Sequence, residues 1–121
     1  MTRIRASVIG VLAVFVIASW VTAQGWPGYP INGQKVYAQH CLSCHGAAGE
    51  GNGPEGQVLI VSPANFQSPR SRLKTDLELL VALSNGVVFS PMHGWKGRLT
   101  NDEMWDVISY IRTLAPYNPN P

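Results

Sequence analysis

Hydrophobic and polar positions alternate in three distinct ways along the chain. From Val8 to Ala18 apolar and small residues run unbroken for 11 positions, and from Ala6 to Ala23 no charge occurs over 18. Further on, Thr75 and Thr100 are each followed three residues later by a glutamate, Glu78 and Glu103, which is the capping-box spacing that opens a helix. Behind Thr75 come Leu77, Leu79, Leu80, Val81 and Leu83, up to an Asn85-Gly86 stop; behind Thr100, Met104, Val107, Ile108, Ile111 and Leu114 recur every three or four residues and make one apolar face. A further helix is expected from Gly33 to Cys44, capped by Asn32 and stopped by Gly46. Val87 to Phe89 could add a short strand, closed off by Pro91. Between Gly46 and Lys74 periodicity fades, and so long a loop in a small domain implies that it wraps something. The pattern predicts an all-α fold of three main helices with long loops, ending in a frayed tail from Ala115 to Pro121.

Charge sharpens the reading of the N-terminus. The 121 residues hold 9 Lys+Arg and 7 Asp+Glu, but two of the cations, Arg3 and Arg5, precede the apolar run. Together with Val21-Thr22-Ala23 they form the n-region, h-region and cleavage site of an export signal, residues 1–23. The alternative is a retained membrane anchor through residues 6–23, at the short limit of a spanning length. Either route predicts an exported protein, periplasmic or on the outer face of the cytoplasmic membrane. Residues 24–32, rich in Gly and Pro, read as an irregular leader. Without residues 1–23, 98 residues remain with 7 basic against 7 acidic side chains, a neutral chain that has no polycationic surface for nucleic acid. With 12 Gly and 9 Pro, a chain this short has little material for a core of its own.

The chemistry lies in Cys41-Leu42-Ser43-Cys44-His45. Positions i, i+3 and i+4 share a helix face, so Cys41, Cys44 and His45 point together, while His40 is turned away by about a hundred degrees and reads as a surface residue. A disulfide across this spacing would close too small a loop to constrain the unfolded chain. A thiol oxidoreductase would need strands alternating with helices, and a zinc site would need ligands that two cysteines and three histidines without a second paired motif do not provide. Cys-x-x-Cys-His is the attachment signature of c-type haem, and a covalent haem c would supply the missing core.

At these residues the sequence resembles the class I c-type cytochromes, over about Gly33 to Leu114. Gly33 and Tyr37 resemble the small and aromatic residues of the family's N-terminal helix, with Trp105 and Tyr110 as counterparts on the C-terminal helix. The turn Gly49 to Pro54, the run Pro63-Ala64-Asn65-Phe66, and Ser84-Asn85-Gly86 ahead of Pro91-Met92 are also similar. The resemblance implies a haem domain over residues 33–115, followed by a Pro-rich tail, 116–121. It further implies His45 as proximal iron ligand, Met92 as distal ligand, and the carbonyl of Pro54 or Pro63 as acceptor for the His45 ring. A thioether in a Pro- and Gly-bounded loop suits that role. His93 departs from the family pattern and competes with Met92, because adjacent residues of an extended loop face opposite ways and only one can meet the iron. Arg70, Arg72, Lys74 and Arg98 are either a solvated face or partners of a haem propionate, and Trp95 either pads the haem edge or packs. The implied function is electron transfer with redox partner proteins by a single-haem carrier that is not an enzyme. The rival readings are a haem subunit anchored in a larger oxidoreductase complex, a haem enzyme and a gas sensor with a labile sixth ligand.

Overall fold

The computed structural model describes residues 28–120, so the expected export signal and most of the leader lie outside the described residues. Five helices follow one another: α1 (Pro30–His40), α2 (Leu42–His45), α3 (Pro69–Arg72), α4 (Asp76–Asn85) and α5 (Asn101–Leu114). Among the described residues there is no strand, and no helix is long and apolar enough to cross a membrane. The all-α expectation holds.

The first helix starts three residues earlier than its pattern suggested, and Asn32 lies inside it. Pro30 occupies the first turn, where its fixed φ suits a helix and its missing N–H costs nothing. The preceding residue, Tyr29, donates its N–H to Asp106 of α5 at 2.6 Å, so a tertiary contact sets the start. At Cys41 (φ −119°) the helix is interrupted. The hydrogen bonding nonetheless continues across the break, from the Cys41 N–H to the Tyr37 carbonyl (2.9 Å) and from the His45 N–H to the Cys41 carbonyl (2.8 Å). The i, i+3, i+4 relation of the motif therefore survives. Gly46 (φ +77°) ends α2 as expected.

The core is the crossing of α1 and α5. Val107 and Ile108 are fully buried, with Met104, Ile111, Val36 and Tyr37 around them, and Leu83 of α4 and Leu99 complete the cluster. The two helices approach so closely at Gly33 that a Cβ there would lie 1.9 Å from the Asp106 carbonyl oxygen, a backbone atom that cannot swing aside. Gly33→Ala is thus expected to force the helices apart and to cost about 1–3 kcal/mol, read as a lower denaturant midpoint at unchanged slope. Tyr37 meets Tyr110 edge-on at 5.2 Å, and its buried hydroxyl donates to the Gly46 carbonyl at 2.7 Å.

Both capping boxes form in full. Each glutamate accepts hydrogen bonds from the backbone and hydroxyl of its threonine, and these hold the Glu78 and Glu103 carboxyls below the usual glutamate range. The stability they contribute is fully present above the unfolded-state value of about 4.3 and is lost as pH falls through the lower folded values. A Glu78→Gln/Glu103→Gln variant should therefore show a shallower loss of melting temperature below about pH 4.3 than the parent chain.

Two expectations need correction. Residues 87–89 form a turn instead of a strand: Gly86 (φ +79°) and Phe89 (φ +59°) bend the chain, and only one isolated bridge, Gly86 to His93, links its ends. The tail is fastened instead of frayed. Arg72 donates through Nε to the Pro116 carbonyl (3.0 Å) and accepts at its own carbonyl from the Asn118 N–H (2.9 Å), while Arg112 lies over the Tyr117 ring. The long loop after α2, for its part, is held at its start. The N–H groups of Gly51, Gly53 and Glu55 reach the carbonyls of His45, Cys44 and Ser43 at 2.8–3.1 Å, satisfying the acceptors that end α2. Gly53 is needed for that approach, since a Cβ would sit 2.3 Å from the Ser43 oxygen.

Candidate functional site

Helix α2, the loop after it and the turn before α5 enclose a cavity of about 400 Å³. Cys41, Cys44, His45 and Met92 all line it, so residues separated by some fifty positions come together as the sequence suggested.

His45 is the most constrained of the four. It is buried, and Phe66 stacks on its ring with centroids 4.6 Å apart and planes only 12° from parallel. Its Nδ1 lies 3.2 Å from the Ala64 carbonyl. A carbonyl only accepts, so Nδ1 carries the proton and Nε2 keeps its lone pair. Burial pushes the imidazole pKa down, against the smaller opposing effect of the Ala64 hydrogen bond. The ring is therefore a neutral nitrogen donor, the form a metal requires. The acceptor is Ala64, and neither Pro54 nor Pro63 as expected: the Pro63 carbonyl faces Gly51, where an added Cβ would lie 2.6 Å from its oxygen.

The cysteines are not paired with each other. Burial, with Cys44 adding to it, pushes the Cys41 thiol up to about 12. Among the described residues no three His, Cys, Asp or Glu side chains gather as a cation site, which leaves the zinc alternative without a counterpart.

Met92 is half-buried and packs against the core. Its carbonyl accepts from the Val87 N–H (2.9 Å) and its N–H donates to the Ser90 hydroxyl (3.2 Å), so the turn holds its backbone at both ends. His93 also borders the cavity, but it is exposed; its Nδ1 is 3.2 Å from the Gly94 carbonyl and its ring rests 4.6 Å from that of Trp95. His40, although exposed, lies with its ring 5.0 Å from the same indole and reaches the cavity rim, contrary to its expected outward turn. Trp95 both lines the cavity and packs on the core. None of Arg70, Arg72, Lys74 and Arg98 lines the cavity, and Arg72 serves the tail.

No residue pattern points directly to the Ala64 acceptor, the Phe66 stack or the lining residues Leu59 and Val61; the run Pro63 to Phe66 is the one hint. The site fits a covalent haem: two thiols in register, a neutral imidazole beside them, a thioether on the same cavity and mostly apolar walls.

The cytochrome c family model matches residues 31–115. The chain belongs to the cytochrome c family. Membership implies covalently bound haem c. Among solved structures it is similar to a chain of the Kuenenia stuttgartiensis reducing HAO-like protein complex Kustc0457/Kustc0458, with 26% identity, TM-score 0.66, and 78% of this chain and 48% of that one covered. It thus spans about half the length of that relative. The KustC0563 c-type cytochrome is similar over nearly its whole length, 96%, and over 69% of this chain, with 25% identity and TM-score 0.58. Cytochrome c6 from the diatom Phaeodactylum tricornutum shares the fold, with 19% identity, TM-score 0.56, and 73% and 95% of the two chains covered. No curated protein matches the chain.

Proposed function

We propose that this cytochrome c is a single-haem electron carrier that serves exported or membrane-bound redox partner proteins, with thioether links to Cys41 and Cys44 and with His45 and Met92 as axial ligands. The observation that carries this reading is that His45, held neutral with its proton on Nδ1, lines the same cavity as Met92. When bound, haem supplies an iron that takes up and releases one electron. The chain does the rest. Ala64 and Phe66 fix the plane of the imidazole, the Ser90–Met92 turn fixes the thioether, and the apolar walls keep water away. A thioether opposite an imidazole favours the reduced state relative to two nitrogens. His45 and Met92 would occupy both iron positions the porphyrin leaves open, so that none would remain for a substrate.

The export signal over residues 1–23, its cleavage after Ala23 and a periplasmic location form part of this proposal. A haem subunit within a larger oxidoreductase is the second reading, favoured by the similarity to part of a chain in the HAO-like complex. An intact Met1 in the mass spectrum of the purified protein supports that anchored form; a mass beginning at Gln24 supports the free carrier. The test of the ligand set is carbon monoxide added to the ferrous protein at neutral pH. No spectral change is expected, and ready binding would replace the carrier by a haem enzyme or gas sensor.

A further inference from the structure

His45 is steadied by a segment that has no regular structure of its own. Residues 62–65 belong to neither helix nor strand, yet Ala64 must meet the imidazole at its edge and Phe66 must lie on its face. A hydrogen bond at Nδ1 fixes which nitrogen carries the proton but lets the ring swing about that contact; a second ring flat against it removes the swing. Phe66 is itself tethered. Its N–H donates to the Gly49 carbonyl at 2.7 Å, and Gly49 leaves room for it, since a Cβ there would lie 2.8 Å from Phe66 Cδ2. The following residue adds a longer reach. The Gln67 N–H donates to Asn65 Oδ1 (2.8 Å), and its side-chain nitrogen donates to two carbonyls, those of Ala48 at 2.9 Å and Leu114 at 2.8 Å. Both partners only accept, so the NH2 end of the amide must face them and both its hydrogens are used. Ala48 lies in the loop after α2, and Leu114 is the last residue of α5, with a carbonyl that its own helix cannot satisfy.

We infer that Gln67 is a positioning residue for the iron's proximal ligand: by bridging the loop after α2 to the end of α5 it keeps Phe66 flat on His45 and so sets how the imidazole plane lies at the haem. The inference rests on the ligand role proposed for His45. Without the bridge, Phe66 keeps only its own amide tether, and the segment that carries it is released from α5. Water then reaches the face of the imidazole that Phe66 covers. More polar surroundings favour the more highly charged ferric state, and a ring free to turn distributes the unpaired electron of ferric iron differently over the haem. Gln67 touches neither haem nor His45 in this role. Its effect passes through Phe66.

Haem-loaded ferric protein, read by its haem-methyl proton resonances and by redox titration, tests this. Gln67→Ala is expected to change the spacing of the methyl resonances. It should also shift the one-electron equilibrium about threefold toward the ferric state, about 30 mV, less than the tenfold effect of losing a direct partner of a metal ligand. Gln67→Glu keeps the size of the side chain but offers no N–H at neutral pH, so the same change of resonance pattern is expected there even should the alanine variant fail to fold. Thr75→Ala removes a helix cap outside the cavity lining; it should lower the denaturation midpoint and leave resonances and potential alone. Wild-type resonances in the Gln67 variants, or an equal change in Thr75→Ala, would overturn the inference. Wild-type protein that shows no resonances of a coordinated imidazole would instead overturn the ligand role of His45, and the inference with it.

Discussion

Replacing Met92 with alanine is expected to abolish the sulfur-to-iron absorption band of the ferric protein and to lower its reduction potential by something of the order of 0.2 V, within the roughly 0.8 V over which axial ligands tune haem. His93→Ala is expected to leave both in place. Burial and backbone restraint separate the two residues. Met92 packs on the core and is held at its N–H and its carbonyl within the turn, whereas His93 is exposed with its ring against Trp95. In Met92→Ala, water or the His93 nitrogen fills the vacancy; a hard or nitrogen ligand favours the ferric state, and the potential falls. Visible spectroscopy and redox titration of both variants read the outcome, and a sulfur band persisting in Met92→Ala would exclude the assignment.

A second large effect is expected at residues that do not line the cavity. Asp76→Ala should destabilise the folded protein by about 3–5 kcal/mol, the usual result of stranding one member of a buried ion pair. Asp76, the first residue of α4, is paired with Arg112 near the end of α5, and their side chains are 3% and 13% exposed. The same guanidinium donates to the Lys74 carbonyl, so it joins the start of α4 to the last turn of α5. Arg112→Ala leaves Asp76 buried without its cation and should cost a comparable amount, while the double variant should cost clearly less than the sum. Chemical denaturation of the two single variants and the double variant gives the coupling energy directly.

Much of this arrangement was legible beforehand. The two capping boxes located α4 and α5 because each cap is a local exchange of hydrogen bonds within four residues. The face of α5 was legible because one side of it is buried throughout. The Cys41–His45 motif was legible because its geometry survives the irregularity at Cys41. What escaped depends on contacts distant in sequence. Helix α1 begins at Pro30 because the Tyr29 N–H finds Asp106, 77 residues away. The tail holds because Arg72 happens to lie beneath it. The His45 acceptor is Ala64 because the loop's path, fixed by its amides on the α2 carbonyls, brings that carbonyl to the ring. Alternation at Val87–Phe89 suggested a strand, but with no partner strand alongside, the turn chemistry of Gly86 and Ser90 prevailed.

The bracing around His45 has a consequence for speed. Its ring is fixed by Ala64 and Phe66, its carbonyl by Gly51, and the Gly46 carbonyl that follows it by Tyr37 from the crossing of α1 and α5. In the ligand role proposed for it, a ring restrained on so many sides would keep nearly the same position whichever charge the iron carried. Little nuclear rearrangement would then accompany the arrival or departure of an electron, and the environment would already be set when the charge moved.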